Sequence, residues 1–186
     1  AVQGYGVQYG AAFAADEKDV KNNILNIYQS GLTLGQKDYY LNNDSATETI
    51  RKAYKDYVDK MFRLYGFSAQ EAQKRAQELF KQETLVALIS KSMTELRDPQ
   101  ANYNKMTLAE LRDDYPHIPI EQWANAEGID SKYLQQVVVG QPAFMAGLDK
   151  LMALQTVDEL KALMEWSVIT SSASYLTDEI REANFN

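Results

Sequence analysis

A carboxylate on the apolar side of a helix is the group in this sequence whose chemistry most needs an explanation. Glu83 stands four residues after Leu79 and three before Val86 in a helical stripe, where an ionised side chain must be paired or suffer a large desolvation penalty. It could act as a general base or metal ligand, or it could form an ion pair tying the helix to a neighbouring loop. No second carboxylate or histidine stands at i+3 or i+4 on that face, which favours the ion pair. Arg97, in the ELRDP stretch at 95–99, is the expected partner.

Other reactive groups are sparse. The sequence has no cysteine and one histidine, His117, which excludes thiol nucleophiles and disulfides and makes a complete zinc site of Cys and His a poor fit. Any Ser-His-Asp arrangement would depend on His117 alone. That residue lies in the bend Tyr115-Pro116-His117-Ile118-Pro119 with no partner cluster in view, and reads as a surface or hydrogen-bonded loop residue. Ser167, Thr170, Ser171, Ser172, Ala173 and Ser174 crowd one late helix without an accompanying base. They read as small side chains that let another helix approach, not as nucleophiles. No catalytic and no metal-binding residue is assigned.

A different kind of candidate is the stretch GLTLGQKDYYL at 31–41, which joins a Gly-rich alternating segment to a long helical region. Gly31 and Gly35 permit backbone angles closed to other residues, so the loop can be ordered and can dock through Leu32, Leu34, Tyr39, Tyr40 and Leu41. A loop with that much apolar weight is seldom idle, which makes it a candidate functional loop. A surface connection whose aromatics merely cap the core is the alternative.

The elements that must position these groups follow from periodicity and capping. Residues 1–15 alternate loosely, DEKD at 16–19 reads as a turn and NNILNIYQ at 22–29 is apolar again, which favours a β-hairpin over a short helix at Val20–Tyr28. Ser45-x-x-Glu48 and Ser68-x-x-Glu71 have capping-box spacing and open two helices separated by Gly66. The first carries Ile50, Tyr54, Tyr57, Met61 and Leu64 on one face; the second runs through Met93 and is ended by Pro99, and the two should pack antiparallel. Ala101–Met106 is expected to be a connection, Thr107-x-x-Glu110 a cap for a short helix to Asp114, and residues 120–127 another short helix anchored by Trp123. Tyr133–Val139 suggests a strand or an extended segment. Pro142 opens a helix to Leu154, and Thr156-x-x-Glu159 caps a last helix reaching Ala183. The fold class is therefore mainly α: a helical domain with long antiparallel helices and a small N-terminal β-hairpin, with residues 1–186 forming a single domain.

Composition limits the functions available. A net charge of −7 and a pI of about 4.8 argue against a phosphate-binding surface, so no nucleic-acid partner is expected. No apolar run approaches the roughly 20 residues of a transmembrane helix, and the N-terminus lacks a signal-peptide layout. No repeat, low-complexity tract or Gly-rich phosphate loop is present.

Four stretches, in order along the chain, resemble one family. YQSGLTLGQKDYYL at 28–41 resembles the glycine-leucine loop and DYY signature of the neprilysin and endothelin-converting-enzyme family of zinc metallopeptidases, including its bacterial oligopeptidases. AADEKDVKNNI at 14–24 resembles that family's hairpin, with Asp19 and Val20 in place of the usual Asn-Ser. RDPQANYNKMTLAEL at 97–111 and LKALMEWSVITSSASYL at 160–176 resemble two later segments. The resemblance implies a zinc-dependent peptidase as parent, with zinc held by a His-Glu-x-x-His helix and a later Glu. None of that apparatus maps onto a chain whose one histidine is His117.

By resemblance, then, the chain is a piece of the N-terminal, non-catalytic helical lobe, inactive alone and binding no zinc. That lobe faces the catalytic lobe of the same polypeptide across a closed chamber that admits oligopeptides. The missing cysteines favour a bacterial parent, whose compartment (periplasmic, secreted, lipid-anchored or cytoplasmic) would be encoded before Ala1. The start AVQGYG and the end EANFN suit an excised lobe. The competing function is a stand-alone helical module that binds a peptide or protein through its GLTLG loop.

Overall fold

A computed structural model describes residues 8–185, with the side chain of Phe185 left out. The Gly-rich start at 1–7 and the final Asn186, both used in the sequence reading, lie outside the described residues. The chain divides into two compact units, one of Ala1–Leu32 with Ile89–Leu154 and one of Thr33–Leu88 with Gln155–Asn186. Helix predominates, as the sequence predicts.

The first unit is built on a sheet. The hairpin strands β1 (Tyr9–Asp16) and β2 (Asp19–Gln29) pair antiparallel, with Phe13 opposite Leu25 and an irregularity at Ala15/Asp16. The sheet continues through β4 (Gln136–Val139), parallel to β2, to β3 (Asn104–Thr107), antiparallel to β4, in the order β1-β2-β4-β3. Val137, Val138 and Val139 are all buried, so the uninterrupted apolar run marks an inner strand covered on both faces. The expected connection at 101–106 instead supplies an edge strand, whose mixed polarity hides it because only alternate residues are partly covered. Leu25, Ile27, Phe144, Met145 and Leu148 complete a core with no exposure, the last three from α6 (Pro142–Leu154). In α4 (Leu108–Asp114), capped by Thr107 and Glu110, and α5 (Ile120–Ala126), the buried residues are Leu108, Leu111, Ile120 and Ala124. Trp123 is only half-buried, so Ile120 and Ala124 anchor α5 in its place.

The second unit is helical: α1 (Asp38–Leu41), α2 (Ser45–Leu64), most of α3 (Ala69–Ile89), α7 (Val157–Ser172) and α8 (Asp178–Phe185). The cap of α2 is one residue earlier than Ser45: Asp44 accepts both the Thr47 amide (2.9 Å) and its hydroxyl (2.7 Å). Its buried face is Tyr54, Val58, Met61 and Phe62, whereas Ile50 is 37% exposed, so the stripe is rotated from the expected one. Tyr54, well before the Gly66 turn, meets Phe80 and Glu83, comparably far after it, as an antiparallel pair requires.

Two expected helices are too long. The helix expected to run to Pro99 ends at Ile89, because competing partners take the backbone groups that follow. The Gln29 amide accepts the Lys91 N–H (2.8 Å) and donates to the Lys91 carbonyl (3.0 Å). Ser92 and Glu95 then close a fresh capping pair ahead of a 3-10 turn at Glu95–Arg97. The final helix stops at Ser172 rather than Ala183. Thr170 and Ser172 donate back to the carbonyls of Trp166 (3.0 Å) and Val168 (2.6 Å), a pattern that weakens a helix, and a 3-10 turn at Ala173–Tyr175 precedes α8.

At the hairpin end, buried Asp16 accepts from the Lys18 amide (3.0 Å), the Tyr103 hydroxyl (2.7 Å) and Lys105 Nζ (2.8 Å). These bonds, Lys105's first, hold its carboxyl far below the usual carboxylate range. A depressed folded pKa stabilises the fold above the unfolded value and loses that stabilisation as the pH falls. Asp16→Asn should therefore flatten the acid limb of the stability profile between about pH 5 and pH 2. Chemical denaturation across that range measures this, and an unchanged limb would contradict it.

Candidate functional site

Helix α3 carries Glu83 into the second unit on its Ala72, Ala76, Leu79 and Val86 face, where the side chain is 2% exposed. One carboxylate oxygen, Oε1, accepts the Thr33 hydroxyl at 2.5 Å and the Thr33 amide at 3.2 Å. Oε2 accepts the hydroxyls of Tyr54 at 2.7 Å and Tyr40 at 2.9 Å. The shell extends one bond outward: Tyr40 Oη accepts the Leu34 amide (3.0 Å), and Thr33 Oγ1 accepts the indole N–H of Trp166 (3.1 Å). Aromatic rings wall the group, with Tyr40 stacked on Phe80 at 5.7 Å and Tyr54 edge-on to Trp166 at 6.5 Å.

Burial raises the Glu83 pKa, against the lowering effect of its hydrogen bonds. Burial raises those of Tyr40 and Tyr54 as well, with the Glu83 charge adding to it, so both phenols stay protonated as donors. Every bond to Glu83 thus runs from a neutral donor to an acceptor carboxylate. Such a group holds pieces of chain together; with both oxygens engaged it has no lone pair aimed at a substrate.

The expected ion pair is corrected here. Hydroxyls and an amide satisfy Glu83, while Arg97 lies in the 3-10 turn of the first unit. Neutral donors can reach a carboxylate in an aromatic pocket without bringing a second charge out of water. Thr33, Tyr54 and Trp166 were not among the sequence candidates. The one signal available for Tyr54 was its place on the buried face of α2, directly before Val58 and Met61 in the stripe.

The loop residues fall on both sides of the unit boundary. Gly31, with φ of 92°, and Leu32 belong to the first unit; Leu34, Gly35, Tyr39 and Tyr40 belong to the second. Gly35 has φ of 82°, a left-handed value that explains the glycine and lets the chain turn from Leu34 into the one-turn helix α1. Tyr40 is buried, and Leu34 and Tyr39 are half-buried.

In the first unit the backbone N–H of His117 donates to Asp149 (2.6 Å) and its Nδ1 lies 3.1 Å from the same carboxylate. Among the described residues no cluster of three His, Asp or Glu is placed to hold a metal. The described residues therefore offer no converging donor set for a zinc ion.

With this geometry in view, the comparisons with known proteins decide the family. A sequence profile described as peptidase family M13 matches residues 1–186. The chain belongs to peptidase family M13. Endothelin-converting enzyme-like 1 of Rattus norvegicus is 28% identical over 181 residues, 94% of this chain and 23% of that protein. Endothelin-converting enzyme 1 of Homo sapiens is 27% identical over 176 residues, 92% of this chain and 22% of that protein. Among solved structures, the open state of the zinc metalloprotease Zmp1 of Mycobacterium tuberculosis superposes with a TM-score of 0.90 at 27% identity, covering 98% of this chain and 28% of that one. PepO from Lactobacillus rhamnosis, at 20% identity and a TM-score of 0.74, shares the fold over 97% of this chain and 28% of its own. This M13 chain thus spans about a quarter of the length of the curated relatives it matches.

Removing Glu83 from this M13 chain leaves the buried hydroxyls of Tyr40 and Tyr54 facing each other with no acceptor between them. Glu83→Ala should lower stability by about 3 kcal/mol, and Tyr54→Phe by about 1 kcal/mol. The pH sign is opposite to that of Asp16: a raised folded pKa favours folding most below about pH 4 and progressively less as the pH rises. Glu83→Gln, which cannot ionise, should flatten that part of the profile. Equilibrium denaturation of the three variants tests this, and a Glu83→Ala protein as stable as the parent would refute it.

Proposed function

We propose that this chain is part of the non-catalytic, substrate-enclosing lobe of a zinc metalloendopeptidase that cleaves oligopeptides, and that alone it is inert. The observation that carries the reading is the M13 match across residues 1–186 of a chain whose one histidine is committed to Asp149. Zinc-assisted hydrolysis needs three protein ligands around an open coordination position. Those ligands, and the zinc, belong in this proposal to the catalytic lobe of the same polypeptide.

The role of the present residues is then architectural. The Glu83 network holds the segment from Thr33 to Tyr40 against α2, α3 and α7, so that Leu34, Gly35 and Tyr39 are presented on an ordered backbone. We assign that segment to the chamber wall or the contact with the catalytic lobe. An oligopeptide is the partner expected in the chamber.

The purified chain, given zinc and a fluorogenic oligopeptide, should show no turnover, whereas the full-length polypeptide should show turnover that a chelator removes. Chelator-sensitive turnover by residues 1–186 alone would contradict the assignment, as would a full-length polypeptide without a His-Glu-x-x-His helix.

A further inference from the structure

Among the described residues strand β1 ends the sheet, and its outer edge is open. The Gly140 amide donates to the Ile27 carbonyl (2.8 Å) and the Gln29 amide to the Gln141 side chain (2.8 Å), so odd-numbered residues of β2 turn their main-chain groups toward β4 and even-numbered ones toward β1. With Ala12 opposite Asn26 and Ala14 opposite Ile24, the even-numbered residues of β1 complete that ladder. Ala11, Phe13 and Ala15 therefore direct their N–H and C=O groups outward, where no described strand meets them. Edge strands are normally guarded by a lysine, a proline or a bulge. From Gly10 to Ala15 the sequence GAAFAA has no charge and no proline, and the irregularity comes only at Ala15/Asp16. Ala12, Phe13, Ala14 and Ala15 are all exposed, Phe13 at 42%.

We propose that the open edge of β1 is a docking site for an oligopeptide, which pairs with it as an added strand through its main chain. The length of the edge favours this occupant: about five residues, or ~17 Å, match a short extended peptide. Pairing over that length alone covers well under the roughly 1,000 Å² that a specific contact between folded proteins needs. Four of the five side chains from Ala11 to Ala15 are methyl groups, so the edge reads backbone and neither demands nor rejects particular side chains. The fifth, Phe13, stands across from Leu25 on the face that carries buried Leu25 and Ile27, and offers one apolar contact to a peptide side chain there. The hairpin arm is also open on both faces, since Lys21, Asn22 and Asn23 of β2 are exposed as well. An added strand gains main-chain bonds and little buried area, which suits a partner that binds and leaves. The choice of a peptide rests on the proposed peptidase reading; the openness of the edge does not.

Hydrogen exchange of the 8–16 segment, read by mass spectrometry within seconds of mixing, tests this in the zinc-loaded full-length polypeptide. The probe is a hexapeptide of alternating threonine and valine, blocked at both ends and titrated to millimolar excess. Saturating probe should slow exchange of the outward amides at least about tenfold, as expected when they gain a partner. A fully N-methylated copy of the probe, which has no donors, should need an at least about tenfold higher concentration for the same protection. Ala11→Pro removes one outward N–H and leaves the β1–β2 ladder intact, so it should raise the half-protection concentration at least about tenfold with an unchanged melting temperature. The N-methylated copy decides the matter on the parent protein if that variant does not fold. Outward amides protected without probe would overturn the proposal, since the polypeptide would cover its own edge; protection that grows with protein concentration would assign the edge to a second copy and overturn it too. Unchanged exchange at millimolar probe, or equal protection by the N-methylated copy, would do the same. The two readings fail separately: missing turnover by the zinc-loaded protein contradicts the peptidase assignment, and missing protection of β1 contradicts the docking edge.

Discussion

A carboxylate removed from water must find as many donors as it has lost, and the second unit is arranged around meeting that demand for Glu83. Its donors come from separate parts of the sequence: Thr33 in the glycine loop, Tyr40 in α1 and Tyr54 in α2. Trp166 of α7 joins through Thr33. Each donor fixes its own segment, so the loop conformation, the pairing of α2 with α3 and the seating of α7 become one problem with one solution. The first unit handles its own buried carboxylate differently. Asp16, exposed to the same 2% as Glu83, takes a cation, Lys105, alongside a phenol and an amide. The contrast lies in the partners: the hydroxyls and amide that meet Glu83 bring no second charge out of water, whereas Lys105 keeps 35% of its side chain exposed while it pairs with Asp16.

Much of this organisation can be read in the residues, and the failures have definite causes. Thr107-x-x-Glu110 and Thr156-x-x-Glu159 form complete capping boxes, as their spacing predicts, because the interaction is local. Ser45-x-x-Glu48 has the same spacing but is outcompeted by Asp44, whose side chain satisfies two groups of Thr47 at once. The ends of α3 and α7 depend on contacts that periodicity does not register: Gln29 reaching Lys91 from far along the chain, and hydroxyls turned back onto their own helix. Strand β3 exists because β4 offers it an edge, so its four residues carry little signal of their own. The buried place of Glu83 was legible from its phase, but its partners were not. Hydroxyls of Thr and Tyr look like ordinary loop and core residues until the fold brings them together.

The functional reading rests on the same separation of local and distant information. Membership of the M13 family comes from the whole length of the chain, while no group of three potential metal ligands is found among the described residues. The structure itself shows a small sheet, a helical unit clamped by one buried acid, and a helix with apolar side chains on two opposite faces. In the proposed reading such parts belong to the substrate-enclosing lobe, and the reacting groups to the catalytic lobe.

The central claim is that Glu83 holds the loop after Thr33 in place. Native-state hydrogen exchange at the Thr33 and Leu34 amides tests it most directly, since one donates to Glu83 and the other to the tyrosine that Glu83 binds. In Glu83→Ala both amides should exchange nearly as fast as unstructured chain while the amides of β4 keep their protection. Thr33 and Leu34 amides that stay as protected as in the parent would contradict the account.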